Sequence, residues 1–380
     1  MRLILRLNEP AFLPVKTLPA EPHDLASAIS TRTQGRSTRR ALHLLPALLL
    51  ALASVVVSAQ NYTSIVIFGD SLSDTGNVAD LTQAKYGFRV PGPIADYTDG
   101  RFTDGTDTVP AAHNYFGVWI EQLASTFPAK PAVKASLDGG TNYAYGFAFT
   151  GGGSANFTSG PSDELSVTIN NIGQQITDYL ATKPRITDKT LFIVWGGAND
   201  LLNATSTKDV IDAAVDQAGN LERLVAAGAT QFIVPNLPNL GSIPRLNGSP
   251  ATSIPATKAT VLYNSVLAAG VAIVRDFNSG KRLNVAQLDI FGLINKIVAS
   301  PSKFGLADVK DSSQGNFTVN PDTFLFWDDL HPTTRGHNII AEAAGKLIAP
   351  QQCWANVAKG SYGPEVDCDS APALVGADQR

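Results

Sequence analysis

The 380-residue chain is poor in the residues that build metal centres: it has two cysteines, Cys353 and Cys368, and five histidines spread along its length. No cluster with metal-ligand spacing can be assembled from them, so neither a metal nor another cofactor is expected. Charge is also scarce, at 16% Asp, Glu, Lys and Arg, with a net charge of −4. Residues 1–59 hold seven of the 29 basic residues and three of the 33 acidic ones, so the remainder carries −8. That balance offers no basic surface to nucleic acid or to anionic membranes and favours a neutral substrate. There are no internal repeats and no internal linker. Long apolar runs are missing too, with one exception between Ala41 and Ala59.

The exception follows Arg39-Arg40 and ends in small residues, with Val57 and Ala59 at the −3 and −1 positions. A basic pair, an apolar stretch and a small-residue end describe a secretory signal peptide over residues 39–59. An uncleaved anchor is the alternative, but the stretch is barely long enough to span a bilayer and contains Pro46. Residues 1–38 are polar and aperiodic and read as a disordered leader. In a secreted chain Cys353 and Cys368 imply one disulfide closing a short C-terminal loop, contributing about 3 kcal/mol by loop entropy. Sequons at Asn61, Asn156, Asn203 and Asn316 fit a glycosylated extracellular protein. The expectation is a secreted monomer without stable membrane association, with one domain over 60–350 and a disulfide-closed tail over 351–380.

With 44% hydrophobic residues the chain can bury a full core. Buried strands are expected at 64–68, 191–195, 231–234 and 283–289, each short, apolar and bounded by Gly, Pro or Asn. Helices are expected at 119–127, 165–181, 207–227, 257–276, 291–299 and 335–348. The spacing of Leu165, Ile169, Ile172, Ile176 and Leu180 supports the second of these. Residues 80–116 show no helical period and read as a long, aromatic-containing, substrate-facing loop. Strands alternating with helices give an α/β protein with a parallel sheet covered on both faces.

The chemistry concentrates at strand ends. Ser71 follows the apolar run 64–68, where open α/β sheets place their ligands. Most such serines merely cap a helix, so the remaining groups decide. Trp327-Asp328-Asp329-Leu330-His331-Pro332 puts a carboxylate three residues before an imidazole, within reach of Nδ1, which leaves Nε2 free as a base. Asp329 is the rival orienter, and spacing favours Asp328. Thr333 or Thr334 can cap the following helix. Gly146 and Asn199 end two further apolar segments and could donate N–H groups to an oxyanion beside the Ser71 amide. The plainer readings are a bulge for Gly146 and a cap for Asn199 or Asp200, with Asp200 preferred as the cap. Asp70 is expected to hold the Ser71 loop, His113 and His337 to be structural or solvated, and Trp195 and Trp327 to be core or pocket wall.

Four blocks in order resemble the GDSL esterases and lipases of the SGNH hydrolase superfamily. They are Gly69-Asp70-Ser71-Leu72 with Asp74-Thr75-Gly76-Asn77, then Asn142-Tyr143-Ala144-Tyr145-Gly146, Gly197-Ala198-Asn199-Asp200 and Asp328-Asp329-Leu330-His331-Pro332. The resemblance implies a three-layer α/β/α sandwich with a flavodoxin-like parallel sheet. It implies Ser71 as nucleophile, His331 as base, Asp328 as its orienter, and an oxyanion hole of Ser71, Gly146 and Asn199. Phe147 stands where a small residue often follows the second-block glycine, so a bulkier acyl pocket is expected. Secreted fungal carbohydrate acetylesterases and plant-type lipases look similar. A Gly-x-Ser-x-Gly elbow is missing around Ser71, which disfavours an α/β-hydrolase lipase. The expected substrate is a small-molecule or oligosaccharide ester of short acyl chain. A lipase or lysophospholipase, an acyltransferase and a non-catalytic sugar- or lipid-binding module are the alternatives.

Overall fold

A computed structural model of the chain describes residues 62–105, 115–159 and 164–358, with side chains through residue 348. In chain order the elements are β1 (Ser64–Gly69), α1 (Asn77–Tyr86), α2 (Trp119–Ser125), β2 (Ser154–Ser159), β3 (Leu165–Asn170), α3 (Ile172–Ala181), β4 (Thr190–Trp195), α4 (Ala198–Asn203) and α5 (Thr207–Ala226). There follow β5 (Gln231–Pro235), α6 (Pro244–Asn247), α7 (Pro250–Phe277), β6 (Asn284–Leu288), α8 (Ile290–Ala299), β7 (Asp308–Ser312), β8 (Phe324–Phe326) and α9 (Thr334–Ala358). The leader, the signal segment, Asn61, His113, Cys368 and the Cys353 side chain lie outside the described residues.

The central sheet has the order β1-β4-β5-β6, all parallel, with β1 and β4 in register from Ser64 opposite Thr190 to Gly69 opposite Trp195. Along the other edge of β1 the segment 141–145 pairs without becoming a full strand. The Ile67 N–H donates to Thr141 O at 3.1 Å, and the Tyr143 and Tyr145 N–H groups donate to Ile67 O and Gly69 O at 2.8 and 3.2 Å. The chain therefore leaves β1 to one side and returns to the other at β4, which is the flavodoxin-like arrangement. It creates a switch point between β1 and β4, where open sheets form their ligand crevice. Every residue of β4 is buried, as a strand covered on both faces requires. Helices α3, α5 and α7 form one covering layer and α2 and α9 pack together on the other. The fold is a three-layer α/β/α sandwich.

Three elements differ from the sequence expectation. Residues 165–170 form β3, the second strand of an antiparallel hairpin with β2, and only 172–181 are helical. Leu165 and Ile169 satisfy a period of 2 as well as 3.6, and Leu165, Val167 and Ile169 are the buried set of the strand. Helix α1 occupies 77–86 inside the stretch read as loop, because its buried residues are Asn77, Val78, Ala79 and Thr82. That face is too polar to give a hydrophobic period. It is held by Asp74, whose carboxylate accepts the Gly76 and Asn77 N–H groups at 2.8 Å each. Helix α7 begins at Pro250 and carries Pro255 inside it, seven residues before the expected start. Pro250 at the first turn loses no intrahelical donor, so only Pro255 costs a bond.

Residues 96–105, from the expected substrate loop, turn inward. The chain doubles back between Tyr97 and Asp104, with the Thr98 N–H on Thr103 O and the Gly105 N–H on Asp96 O. This strap then grips the start of α9. Thr103 Oγ1 donates to Pro332 O at 3.0 Å, and Asp104 accepts from the N–H and hydroxyl of Thr334.

Candidate active site

Ser71 sits two residues beyond β1, at the switch point, and is 7% exposed. The end of β1 is fixed from three sides. Gly69 brings its backbone so close to β4 that a Cβ would lie 2.6 Å from Trp195 O. The Gln175 side chain, from α3, accepts the Gly69 N–H and donates to Gly69 O, both at 2.9 Å. Asp70 turns its carboxylate back to accept the Leu72 N–H at 3.0 Å, and its carbonyl accepts from Ser73 and Asp74. The Ser71 N–H has no hydrogen-bond partner among the described residues.

The His331 turn lies between β8 and α9. Its backbone is pinned by the Trp327 N–H donating to His331 O at 2.8 Å, and Thr333 Oγ1 caps the helix by accepting from Gly336 N at 3.0 Å. His331 Nδ1 donates to Asp328 Oδ2 at 2.7 Å, and Nε2 accepts from the Ser71 hydroxyl at 2.8 Å. Asp328 Oδ1 takes the N–H groups of Leu330 and His331 at 2.8 and 2.6 Å. Burial would raise the Asp328 carboxyl, but the His331 charge and these N–H donors outweigh it and hold it at about 2. The rival, Asp329, points away into a two-pronged ion pair with Arg245 at 2.9 and 2.8 Å. The His331 ring is itself faced by Phe102, with centroids 5.1 Å apart.

Asn199 stands in the first turn of α4, directly after β4. One amide hydrogen goes to Ala148 O at 3.1 Å, which leaves the other available. Asp200 does not cap this helix. Gly197, at φ +110°, is the N-cap, and the Asp200 carboxylate instead accepts from the N–H and hydroxyl of Thr150. Gly146 also departs from expectation. Its N–H donates to Asp74 Oδ2 at 2.9 Å, and Gly146 does not line the cavity in front of Ser71. Asp74 is buried and accepts the N–H groups of Gly76, Asn77, Val78 and Gly146, which partly offset its desolvation. The glycine is needed for another reason: a Cβ there would lie 2.3 Å from the Phe102 ring that rests on His331. The following amide, that of Phe147, has no hydrogen-bond partner among the described residues. Phe147 holds φ at +70° in the turn closed by the Ala148 N–H on Tyr145 O.

Ser71, Asn199 and His331 share the wall of one cavity of about 40 Å³, otherwise lined mainly by apolar side chains such as Trp195, Leu240, Ile294, Phe326 and Ile340. A serine hydroxyl on a histidine nitrogen, a carboxylate on the other nitrogen and nearby free N–H donors can carry nucleophilic acyl chemistry. The family model for the GDSL-like Lipase/Acylhydrolase domain matches residues 65–344. The chain belongs to that family. It is a carboxylic ester hydrolase of the GDSL type. It is 25% identical to a phosphatidylcholine-sterol acyltransferase of Aeromonas hydrophila, over 80% of this chain and 96% of that protein. It is 26% identical to a thermolabile hemolysin of Vibrio parahaemolyticus, over 73% of this chain and 62% of that one. GDSL esterase/lipase 6 of Arabidopsis thaliana is 24% identical over 81% of this chain and 93% of its own length. Among solved structures, a lipolytic G-D-S-L family member from Veillonella parvula covers 74% of this chain and 95% of its own, at 11% identity and a TM-score of 0.35.

Sequence reading missed Gln175 around this site, and it placed Tyr97 and Phe102 in a substrate-facing loop without a role toward His331 or Asp328. None stands in a block that carries the chemistry, and each reaches the site from a segment distant in sequence.

Two predictions follow from the geometry. Gly146→Ala should force Phe102 off His331, costing about 1–3 kcal/mol of stability by overpacking and lowering kcat at least tenfold. Denaturant unfolding and ester turnover read the two effects, and adding Phe102→Leu should restore most of both. Burial pushes the Asp70 carboxyl up to about 7 from an ordinary 3.8. The folded protein then holds this proton more tightly than the unfolded chain, so the Asp70 contribution is complete below about pH 4 and is lost as pH rises through 7. The Tm should therefore fall between pH 5 and pH 8, and by less in Asp70→Asn, as calorimetry would show.

Proposed function

We propose that the protein is a serine esterase of short-acyl esters that works through an acyl-enzyme. His331 takes the Ser71 proton as Oγ attacks the ester carbonyl, and Asp328 keeps the imidazole oriented and balances its charge. The oxyanion is met by the Ser71 N–H and the free Asn199 amide hydrogen. The imidazolium returns its proton to the leaving alcohol. Water then repeats the attack and frees the acid and Ser71.

The observation that carries the short-acyl reading is the cavity of about 40 Å³ beside Ser71. A cavity of that size suits a short acyl unit better than a long chain. Its apolar wall suits the methyl end, while Ser71, Asn199 and His331 receive the carbonyl. A second reading, lipid acylhydrolysis or acyl transfer to an acceptor alcohol, draws on the near full-length similarity to the Aeromonas acyltransferase.

A panel of p-nitrophenyl esters from acetate to palmitate, with acetylated xylo-oligosaccharides, separates these. The expected result is acetate turned over at least about tenfold faster than octanoate, and a loss of about 10³-fold or more in Ser71→Ala. Unchanged turnover in that variant would sink the serine mechanism, and faster turnover of long chains would replace the short-acyl reading with the lipid one. Extracellular export and N-glycosylation belong to the same proposal, since Asn156, Asn203 and Asn316 are all exposed. Expression in a eukaryotic secretory host should give medium-borne enzyme starting after Ala59 whose mass drops on treatment with an N-glycosidase. Retention of residues 1–59 in the recovered protein would contradict it.

A further inference from the structure

We infer that Tyr97 is a positioning residue of the catalytic group, acting on His331 through the carboxylate of Asp328. The inference rests on the serine mechanism proposed above and adds to it a residue from outside its motifs.

Tyr97 Oη donates to Asp328 Oδ2 at 2.8 Å. This is the oxygen that also receives His331 Nδ1–H at 2.7 Å. With the Leu330 and His331 N–H groups on Oδ1, four donors fill an ionised carboxylate that offers about four acceptor positions. The contact is not a surface accident. Tyr97 is 4% exposed and Asp328 6%, and the Tyr97 ring packs edge-on against Trp327 with centroids 6.0 Å apart. Gln314, whose side chain donates to Ala95 O at 3.1 Å, ties down the chain just before Tyr97. The strap that carries Tyr97 is also bolted to the chain just after the histidine, through Thr103 on Pro332 and Asp104 on Thr334.

The phenol has two effects on the pair. It fixes the rotation of the carboxylate, so that Oδ2 faces Nδ1. It also draws electron density from Oδ2, which weakens that oxygen as a partner for the imidazolium formed during the reaction. Removing the hydroxyl should therefore loosen the geometry and strengthen the remaining charge interaction. Other ionisable groups face the pair: Asp70 from the Ser71 loop, His337 from α9, and Arg245 with Asp329. All lie on other segments than Tyr97 and are retained in a Tyr97→Phe variant, so a shift in that variant reports the phenol.

The test measures kcat and KM for p-nitrophenyl acetate between pH 5 and pH 9. In Tyr97→Phe, kcat is expected to fall about tenfold with KM within twofold of wild type. The acid limb of kcat/KM is expected to move to higher pH by about half a unit. In an Asp328→Ala background the same change should have no further effect, because its target is gone. Substituting 3-fluorotyrosine at position 97, a stronger donor of nearly the same shape, should move the limb to lower pH. That second variant decides the matter if Tyr97→Phe does not fold. An unmoved limb in either folded variant, or a loss in Tyr97→Phe that persists in full in the Asp328→Ala background, would overturn the inference. Ser71→Ala in parallel keeps the two proposals apart: if it retains turnover the serine mechanism fails, whatever Tyr97 does.

Discussion

A single hydrogen bond joins residues 260 positions apart, from the Ser71 hydroxyl to His331 Nε2. Its partners belong to segments with no covalent reason to meet, and its 2.8 Å length leaves little room for error. Each side is therefore overdetermined. On the serine side, Gly69 lies hard against the β4 backbone and Gln175 reads both polar groups of its peptide. On the histidine side, the 96–105 strap, the Asp328 turn and the cap of α9 converge on six residues of chain. The sheet supplies the gross position, and side-chain-to-backbone bonds supply the last ångström.

Buried carboxylates recur among those bonds. Asp70, Asp74, Asp104 and Asp328 are each nearly inaccessible to water, and each is turned toward backbone N–H groups of the loop it serves. A loop at the end of a parallel strand has many unpaired donors and little regular structure to satisfy them. One carboxylate accepting two to four of them fixes a turn in a way that apolar packing cannot, at the cost of its own desolvation. Asp74 is the fullest case: it serves the start of α1 and the Gly146 amide together, and so ties the Ser71 loop to the 141–146 edge of the sheet.

The residues that meet at the site were legible because their positions obey chain-local rules. Ser71 and Asn199 follow apolar runs that could only be buried strands, and Asp328 reaches His331 across a turn set by three residues and a proline. The alternation of strands and helices was legible for the same reason. What failed was anything decided by a distant partner. Leu165 and Ile169 fit both periods, and pairing with β2 chooses the strand. Gly146 signals a close approach but cannot say whose: the approach is by Phe102, and its amide belongs to Asp74. Tyr97 lies 231 residues from Asp328, so no spacing could announce it.

Two carboxyl groups face His331, and their environments set them apart. Asp328 is held at about 2 by its donors and the imidazole, whereas Asp70, with Leu72 as its principal donor, is driven up to about 7 by burial. Equal acidity would give the imidazolium two competing counterions and put a second negative charge beside the developing oxyanion. Asp328 is the carboxylate bonded to the imidazole, on the far side of the histidine from the serine, while Asp70 bonds the backbone of the Ser71 loop. The donor count around each carboxyl is thus the variable that assigns its role. Asp328 owes its ionised state to the His331 charge and to the donors of His331 and Leu330, while the Tyr97 hydroxyl, from outside the motif, completes the set of four hydrogen bonds on it.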